Sequence, residues 1–275
     1  MNVKIKNSCT QTARYLIIIV ALIFFLFPIV WIFLTAFKTG EEFMHSPPIW
    51  LPRTPTLISF EHVVKTGGLK ALFNSIFIAT SVTILSLIVG SLAGYALARF
   101  KVGGENLPFF ILSQRFMPPV AIIFPFLLFF KALAWMDTLQ ALILIYLTFN
   151  LPYSVWMMRG FFMDIPIEIE ESALVDGCSP FRAFWSIILP LVKPGLVATG
   201  VFCFIFSWHE FFFAVCITRS RAVPLSVYLP NFFGKEMIMW GEIGAVSLMA
   251  MVPLFFMSFF VQRYLVRGLT LGAVK

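Results

Sequence analysis

Charge is scarce in this chain: 12% of its 275 residues are Asp, Glu, Lys or Arg, against 60% that are hydrophobic. A water-facing globular domain needs far more polar surface, so a soluble fold is excluded and a bilayer is the solvent that fits. Histidine is nearly missing, and His45, His62 and His209 are too dispersed for a convincing metal site. Cysteine is limited to Cys9, Cys178, Cys203 and Cys216, with no metal-ligand spacing, and none falls in a sizeable external loop of the topology below. That argues against structural disulfides. There is no Gly-x4-Gly-Lys-Ser/Thr run, since Gly234-Lys235 is followed by Glu236, and neither a HExxH nor a GxSxG motif. ATP hydrolysis, zinc proteolysis and serine hydrolysis therefore have no signature here. The net charge of +7 does not point to nucleic acid, because most cations stand at the ends of apolar runs, where the positive-inside rule puts them.

What is present is a series of long apolar runs. The first, residues 15–37, follows Lys4, Lys6 and Arg14. It is longer than a signal-peptide core and lacks a small-x-small cleavage site before Lys38, so it reads as an uncleaved span. Residues 38–70 carry Pro47, Pro48, Pro52 and Pro55 with scattered charges and form an extended external loop. Further spans are expected over 71–98, 108–130, 139–158, 194–218 and 243–261. Gly90 and Gly94 suit close helix packing, with a lipid-facing span carrying incidental glycines as the alternative. Pro118, Pro119 and Pro125 predict a kinked third span, and such breaks need protein or water around them. The fold class is thus an all-α membrane protein of six transmembrane helices: a tail over 1–14, a membrane domain over 15–262 and a second tail over 263–275. The inner segments hold Lys4, Lys6, Arg14, Arg99, Lys101, Arg159, Arg182, Lys193, Arg263, Arg267 and Lys275, outnumbering the outer cations, so both termini are placed in the cytoplasm.

One polar stretch interrupts the series between the fourth and fifth spans. Residues 164–193 contain Glu168, Glu170, Glu171 and Asp176, four of the 13 acidic residues of the chain. Asp164 just before Pro166 is a helix-start arrangement, and Gly177 after Asp176 is placed to end that helix with a left-handed residue. Ser179-Pro180 repeats the start signal, and a second short helix over 181–188 is ended by Pro190. Ser172, Ala173 and Gly177 are small enough to let another protein approach the backbone. An amphipathic helix lying on the membrane would carry Lys and Arg on its polar face; this one carries carboxylates, which favours a protein partner with basic groups.

Glu171-Ser172-Ala173, three residues, Gly177, nine residues, then Ile187-Ile188-Leu189-Pro190 resembles the EAA loop of ABC importer permeases. Ser172 and Cys178 replace the alanines of the commonest form, and both are small. Arg115-Phe116-Met117-Pro118-Pro119, Asn150-Leu151-Pro152-Tyr153, Ser207-Trp208-His209-Glu210-Phe211 and the ending Gly268-Leu269-Thr270-Leu271-Gly272-Ala273-Val274-Lys275 resemble the carbohydrate-type branch, similar to the smaller permease subunit of maltose importers, although His209 stands where asparagine is usual. The resemblance implies a permease of the bacterial inner membrane that pairs with a second, homologous permease. Two copies of an ATPase and an external solute-binding protein that delivers a carbohydrate complete the set. It also implies that ATP and Mg sit on the ATPases, with no cofactor on this chain, and that Glu170, Glu171, Ala173, Asp176, Gly177, Leu189 and Pro190 couple to them.

Counted along helices at about 1.5 Å per residue, Gln114 and Arg115 lie in the inner third of the bilayer, Asn150 and Tyr153 near its middle, and Trp208, His209 and Glu210 in the outer third. Polar groups at that depth face protein or a water-filled cavity, which makes these residues candidates for a substrate path. Arg115 has the alternative of snorkelling to the inner surface, and His209 and Glu210 that of an interfacial cap or a contact with the other permease. An ion-coupled secondary transporter is the rival reading; it predicts paired broken helices and intramembrane carboxylates, and the sequence offers one carboxylate and no clear internal repeat. An intramembrane enzyme lacks a catalytic set.

Overall fold

The computed structural model describes residues 2–100, 102–234 and 238–271, and the regular structure among them is helical apart from one antiparallel bridge, Phe233 to Ile238. The helices are α1 (Asn2–Thr35), α2 (Gly40–Met44), α3 (Ile58–Lys65), α4 (Gly68–Arg99), α5 (Asn106–Ser113), α6 (Pro119–Ala132), α7 (Leu139–Met163), α8 (Ile167–Val175), α9 (Pro180–Ala183), α10 (Leu189–Leu191), α11 (Lys193–Trp208), α12 (Phe212–Ile217), α13 (Leu225–Tyr228) and α14 (Trp240–Leu271). Lys101 and residues 272–275, used above for topology and for the C-terminal motif, and Lys235 and Glu236, used above in the search for an ATP-binding run, lie outside the described residues.

Among the described residues, Arg14–Thr35, α4, α7 and Trp240–Phe259 are long and apolar enough to cross a bilayer. Two bent pairs, Asn106–Phe116 with Pro119–Ala132 at 86° and Pro180–Leu191 with Lys193–Trp208 at 75°, raise the possible spans to six. The protein is a multi-pass, all-α membrane protein with four clear spans. The first bend follows from proline chemistry: Met117, ahead of Pro118, is extended (φ −64°, ψ 131°), as a residue before proline prefers.

Several expected boundaries move. Helix α1 has already begun at Asn2, and α14 continues through 263–271. The apolar run over 194–218 is two helices, because α11 stops at Trp208 and the Glu210 carboxylate accepts the Phe213 N–H at 2.8 Å to open α12. Asp164 ends α7 and Pro166, at the N-cap, precedes α8, so the start signal works one position later than read. The second loop helix passes Pro190: Phe184–Ile188 is a π-helical turn, and α10 carries on to Leu191. Proline has no N–H and collides with the carbonyl four residues back, and a widened turn removes that conflict.

The chain forms two compact units. One comprises Met1–Gly68 and Leu229–Met251. In it Glu42 folds the proline-rich stretch back, accepting N–H bonds from Arg53 (2.7 Å), Thr39 (3.1 Å) and Thr54 (3.4 Å). Burial works against its charge, but these amides and Lys38 hold the Glu42 carboxyl below the usual range. His62 Nδ1 meets Glu242 Oε1 at 3.0 Å, and a Cβ at Gly244 would lie 2.8 Å from the Ala36 nitrogen.

The other unit comprises Leu69–Tyr228 and Val252–Lys275. Its centre is the crossing of α4 with α7. A side chain at Gly90 would collide with Ser154, and a Cβ at Gly94 would stand 2.8 Å from the Arg159 nitrogen, so both glycines are there for close approach. The Ser154 hydroxyl, fully buried, donates to the Ser86 carbonyl at 2.7 Å. Helix α11 packs on α7, with Gly195 against the Phe161 ring.

Candidate functional site

The acidic loop has two faces. On α8, Glu170 and Ala173 are buried, whereas Glu168, Glu171 and Ser172, and Asp176 and Gly177 just past its end, are exposed. Glu170 accepts from Arg99 Nε at 2.8 Å and from the Tyr95 hydroxyl, while Arg99 Nη2 bonds the Ile165 carbonyl at 3.1 Å. That ion pair, with side chains 8% and 12% exposed, ties the loop to the end of α4. Glu170 is an inward brace. The helix then stops at Gly177 (φ +86°), with Cys178 N–H bonded to Ala173 O and Gly177 N–H to Leu174 O, both at 3.0 Å. This is the Schellman pattern, which satisfies carbonyls a helix end would leave bare. Ser179 Oγ accepts the Arg182 N–H at 3.3 Å and starts α9. Phe184, Ile188 and Val192 pack with Tyr95, Met158 and Phe162 behind the loop, and Leu189 and Pro190 occupy α10 at the 75° bend.

The polar residues of the spans fall into two groups. Arg115 lies over the rings of Phe206 (4.2 Å) and Tyr153 (5.0 Å) and donates to the Phe149 carbonyl at 2.9 Å. Among the described residues it has no carboxylate partner. Two π faces and one carbonyl hold its guanidinium among the helices. Tyr153 stands edge-on to Phe206 at 5.2 Å and to Phe202 at 6.1 Å. The two phenylalanines, four apart on α11, were not singled out from the sequence; their i, i+4 spacing opposite Tyr153 was the signal. Gln114 beside Arg115 donates to Phe110 O at 3.2 Å.

In the second group Asn150 and Trp208 are buried, Glu210 is half-buried and His209 is exposed. Asn150 is fully buried, donating to Tyr146 O (2.9 Å) and Ser207 Oγ (3.1 Å), while its own carbonyl oxygen has no partner. Trp208 is buried and stacked on Phe204 at 5.5 Å. Glu210 caps α12, and its backbone carbonyl takes the Ser226 (2.7 Å) and Tyr146 (3.3 Å) hydroxyls. His209 is exposed and, with Val201, Ile205, Leu254, Met257 and Gln262, lines a groove of about 360 Å³.

Sequence reading missed Asp137. Its carboxylate accepts the N–H groups of Arg219 (3.0 Å), Ser220 (3.0 Å), Arg221 (2.9 Å) and Ala222 (3.1 Å), and the Ser220 hydroxyl at 3.3 Å. Partial burial works against the charge, yet the four amides hold the Asp137 carboxyl well below the ordinary carboxylate range. The same segment is pinned to the start of α4, where Asn74 Nδ2 donates to Val223 O (3.0 Å) and Ser75 Oγ accepts the Leu225 N–H (2.7 Å). Among the described residues, no three His, Cys, Asp or Glu side chains gather to hold a metal ion.

A multi-pass helical chain with broken spans, a braced acidic loop and polar side chains threaded between its helices has the build of an importer permease. A solved structure has the same fold: a bacterial ABC transporter involved in the import of the acidic polysaccharide alginate superposes with a TM-score of 0.78 at 23% identity, over 94% of this chain and 97% of that one. The probable ABC transporter permease protein y4oR of Sinorhizobium fredii is 36% identical over 98% of this chain and 99% of its own length. The trehalose/maltose transport system permease protein MalG of Thermococcus litoralis is 35% identical (95% and 97%), and the diacetylchitobiose uptake system permease protein DasC of Streptomyces coelicolor 34% identical (94% and 94%). Residues 86–271 match the family described as binding-protein-dependent transport system inner membrane component, and the chain belongs to that family. It is a multi-pass inner-membrane permease subunit of an ABC importer, a transport component without catalysis of its own, and it works with an ATPase and a solute-binding protein.

Proposed function

We propose that this permease carries a sugar, polyol or related carbohydrate, as one half of a heterodimer with a second, homologous permease, above two copies of the ATPase. The names of the relatives that move trehalose, maltose or diacetylchitobiose support the substrate class. On a six-span reading in which Lys193–Trp208 is the membrane part of the second bent pair and Pro180–Leu191 belongs to the loop, both termini lie in the cytoplasm, with the loop over 164–193 between the fourth and fifth spans on the same side.

That loop is the coupling element. The observation that carries the reading is its division of labour: Glu171 on α8, and Asp176 and Gly177 just past its end, stand exposed, while Glu170 turns inward to Arg99 and Tyr95 and Ala173 is buried. A push on the exposed edge is then delivered to α4 and to the α10–α11 bend as a rigid displacement. When the ATPases close on ATP, the loop follows and the flanking spans turn the path outward; hydrolysis reverses the motion. Gln114, Arg115 and Tyr153 face the path with His209 further out, and Asn150, Trp208 and Glu210 form the wall that keeps them in place.

Gly177→Asp tests the lever. A side chain at Gly177 meets nothing within 4 Å, so the substitution costs only the left-handed backbone, about 1 kcal/mol. The variant should insert normally yet hydrolyse ATP without transporting. Normal substrate-stimulated hydrolysis together with normal uptake would overturn the coupling role.

A further inference from the structure

We propose that the unit formed by Met1–Gly68 and Leu229–Met251 carries an accessory saccharide subsite, built around Trp240, Lys38 and Thr35. Two hollows of about 240 and 310 Å³ adjoin there and share Lys38, Phe43 and Trp240 as common walls. Together they reach the size of small-molecule sites. Trp240, 47% exposed at the first turn of α14, stands between them and presents a wide apolar ring. The CH face of a sugar ring is what such a surface accommodates.

Polar groups surround that ring. Thr35 is 6% exposed, lines the larger hollow, and its hydroxyl has no hydrogen-bond partner. A buried hydroxyl left bare is costly, and a ligand hydroxyl would satisfy it. Lys38 is 3% exposed; its ammonium donates to the Ile49 carbonyl at 2.7 Å and lies 4.3 Å over the Trp31 ring. An ammonium has three donors, so this leaves capacity for a ligand oxygen. His45 donates from Nδ1 to Pro47 O at 2.9 Å, which leaves Nε2 as an acceptor on the rim.

Charge decides the ligand class. Glu42 lines one hollow and Glu242 the other, so the single ammonium is offset and an anion gains nothing by entering. A cation would meet Lys38. What remains is a neutral, hydroxyl-rich molecule that gives and takes hydrogen bonds around an aromatic face. None of the path residues takes part. Only the external placement of this subsite rests on the proposed topology.

The test uses the assembled importer in lipid nanodiscs, without its binding protein, and saturation-transfer NMR with maltose and trehalose as probes. Transfer to sugar CH protons is expected in the wild type, with at least a fivefold loss in Thr35→Val and Trp240→Phe and no change in Trp156→Phe, which lies in the other unit. Absence of transfer, or equal transfer in all four proteins, would overturn the subsite. So would native mass spectrometry showing a phospholipid retained by the wild type and released by Thr35→Val, because the hollow would then hold a lipid headgroup. Binding-protein-dependent uptake, measured on the same preparations, separates the two proposals: carbohydrate uptake without saturation transfer removes the subsite alone, and a wild type that imports no carbohydrate removes the substrate class.

Discussion

Replacing Asp137 should free the segment over 219–222 and leave the remainder of its unit folded. The Ala222 N–H is attached to a residue 2% exposed, so losing the carboxylate strands it, at about 1–3 kcal/mol. Arg219, Ser220 and Arg221 are exposed and their amides can rehydrate, which reduces each loss to about 0.5–1 kcal/mol. The sum is about 2.5–6 kcal/mol for Asp137→Gly. Asp137 itself has φ +57°, so Asp137→Ala should cost about 1 kcal/mol more than the glycine variant. Asp137→Asn keeps one acceptor and the left-handed tolerance but turns an NH2 group toward the amides, and should fall near the glycine variant. Hydrogen exchange of the backbone over 218–225, followed by mass spectrometry in nanodiscs, reads this directly: at least about fiftyfold faster exchange is expected in each variant. The pH dependence has a definite sign. Because the folded carboxyl titrates below the unfolded value of about 3.9, the clamp contributes fully above that value and is lost as pH falls toward the folded one. Protection, corrected for intrinsic exchange, should be flat between about pH 5 and pH 8. Unchanged exchange in Asp137→Gly, or protection that declines near neutral pH, would refute the clamp.

Two further outcomes are expected. Glu170→Ala strands the buried Arg99 guanidinium and should lower stability by about 3–5 kcal/mol, with Glu170→Gln milder, as a thermal-shift series in detergent would show; equal melting temperatures would refute the brace. Gly90→Ala and Gly94→Ala should each cost about 1–3 kcal/mol by overpacking. Ser154→Gly should partly rescue only the first, since the obstacle is a side chain at Gly90 and backbone at Gly94.

What was legible in the sequence was local. Gly177 and Ser179 announce a helix stop and a helix start through their own backbone chemistry, and both caps form as their residue types dictate. Pro118 and Pro119 likewise announce the bend in the third span. What escaped was set by distant partners. Glu170 and Glu171 are neighbours of identical type, and only Tyr95 and Arg99, some seventy positions away, decide that the first turns inward. Asp137 drew no notice in the sequence because the amides it collects lie more than eighty residues further on. Glu210 stayed open between a path charge and a cap, since the apolar run around it hides the helix break at which its carboxylate accepts the Phe213 N–H. Whether Arg115 pointed out or across depended on Tyr153 and Phe206, rings contributed by two other helices.

The π-helical turn at Phe184–Ile188 has a consequence for phase. Phe184, Ile188 and Val192 repeat every four residues and are all buried in one cluster. In an uninterrupted α-helix, with 3.6 residues per turn, that repeat drifts around the axis by about 40° at each step. A turn closed by the Leu189 N–H on the Phe184 carbonyl holds more than four residues and drifts the other way, bringing the three side chains back into line. The extra residue therefore acts as an angular correction. Deleting one position there would swing everything before it by about 100°, and the exposed ring of Phe181 would face a different quarter of the loop.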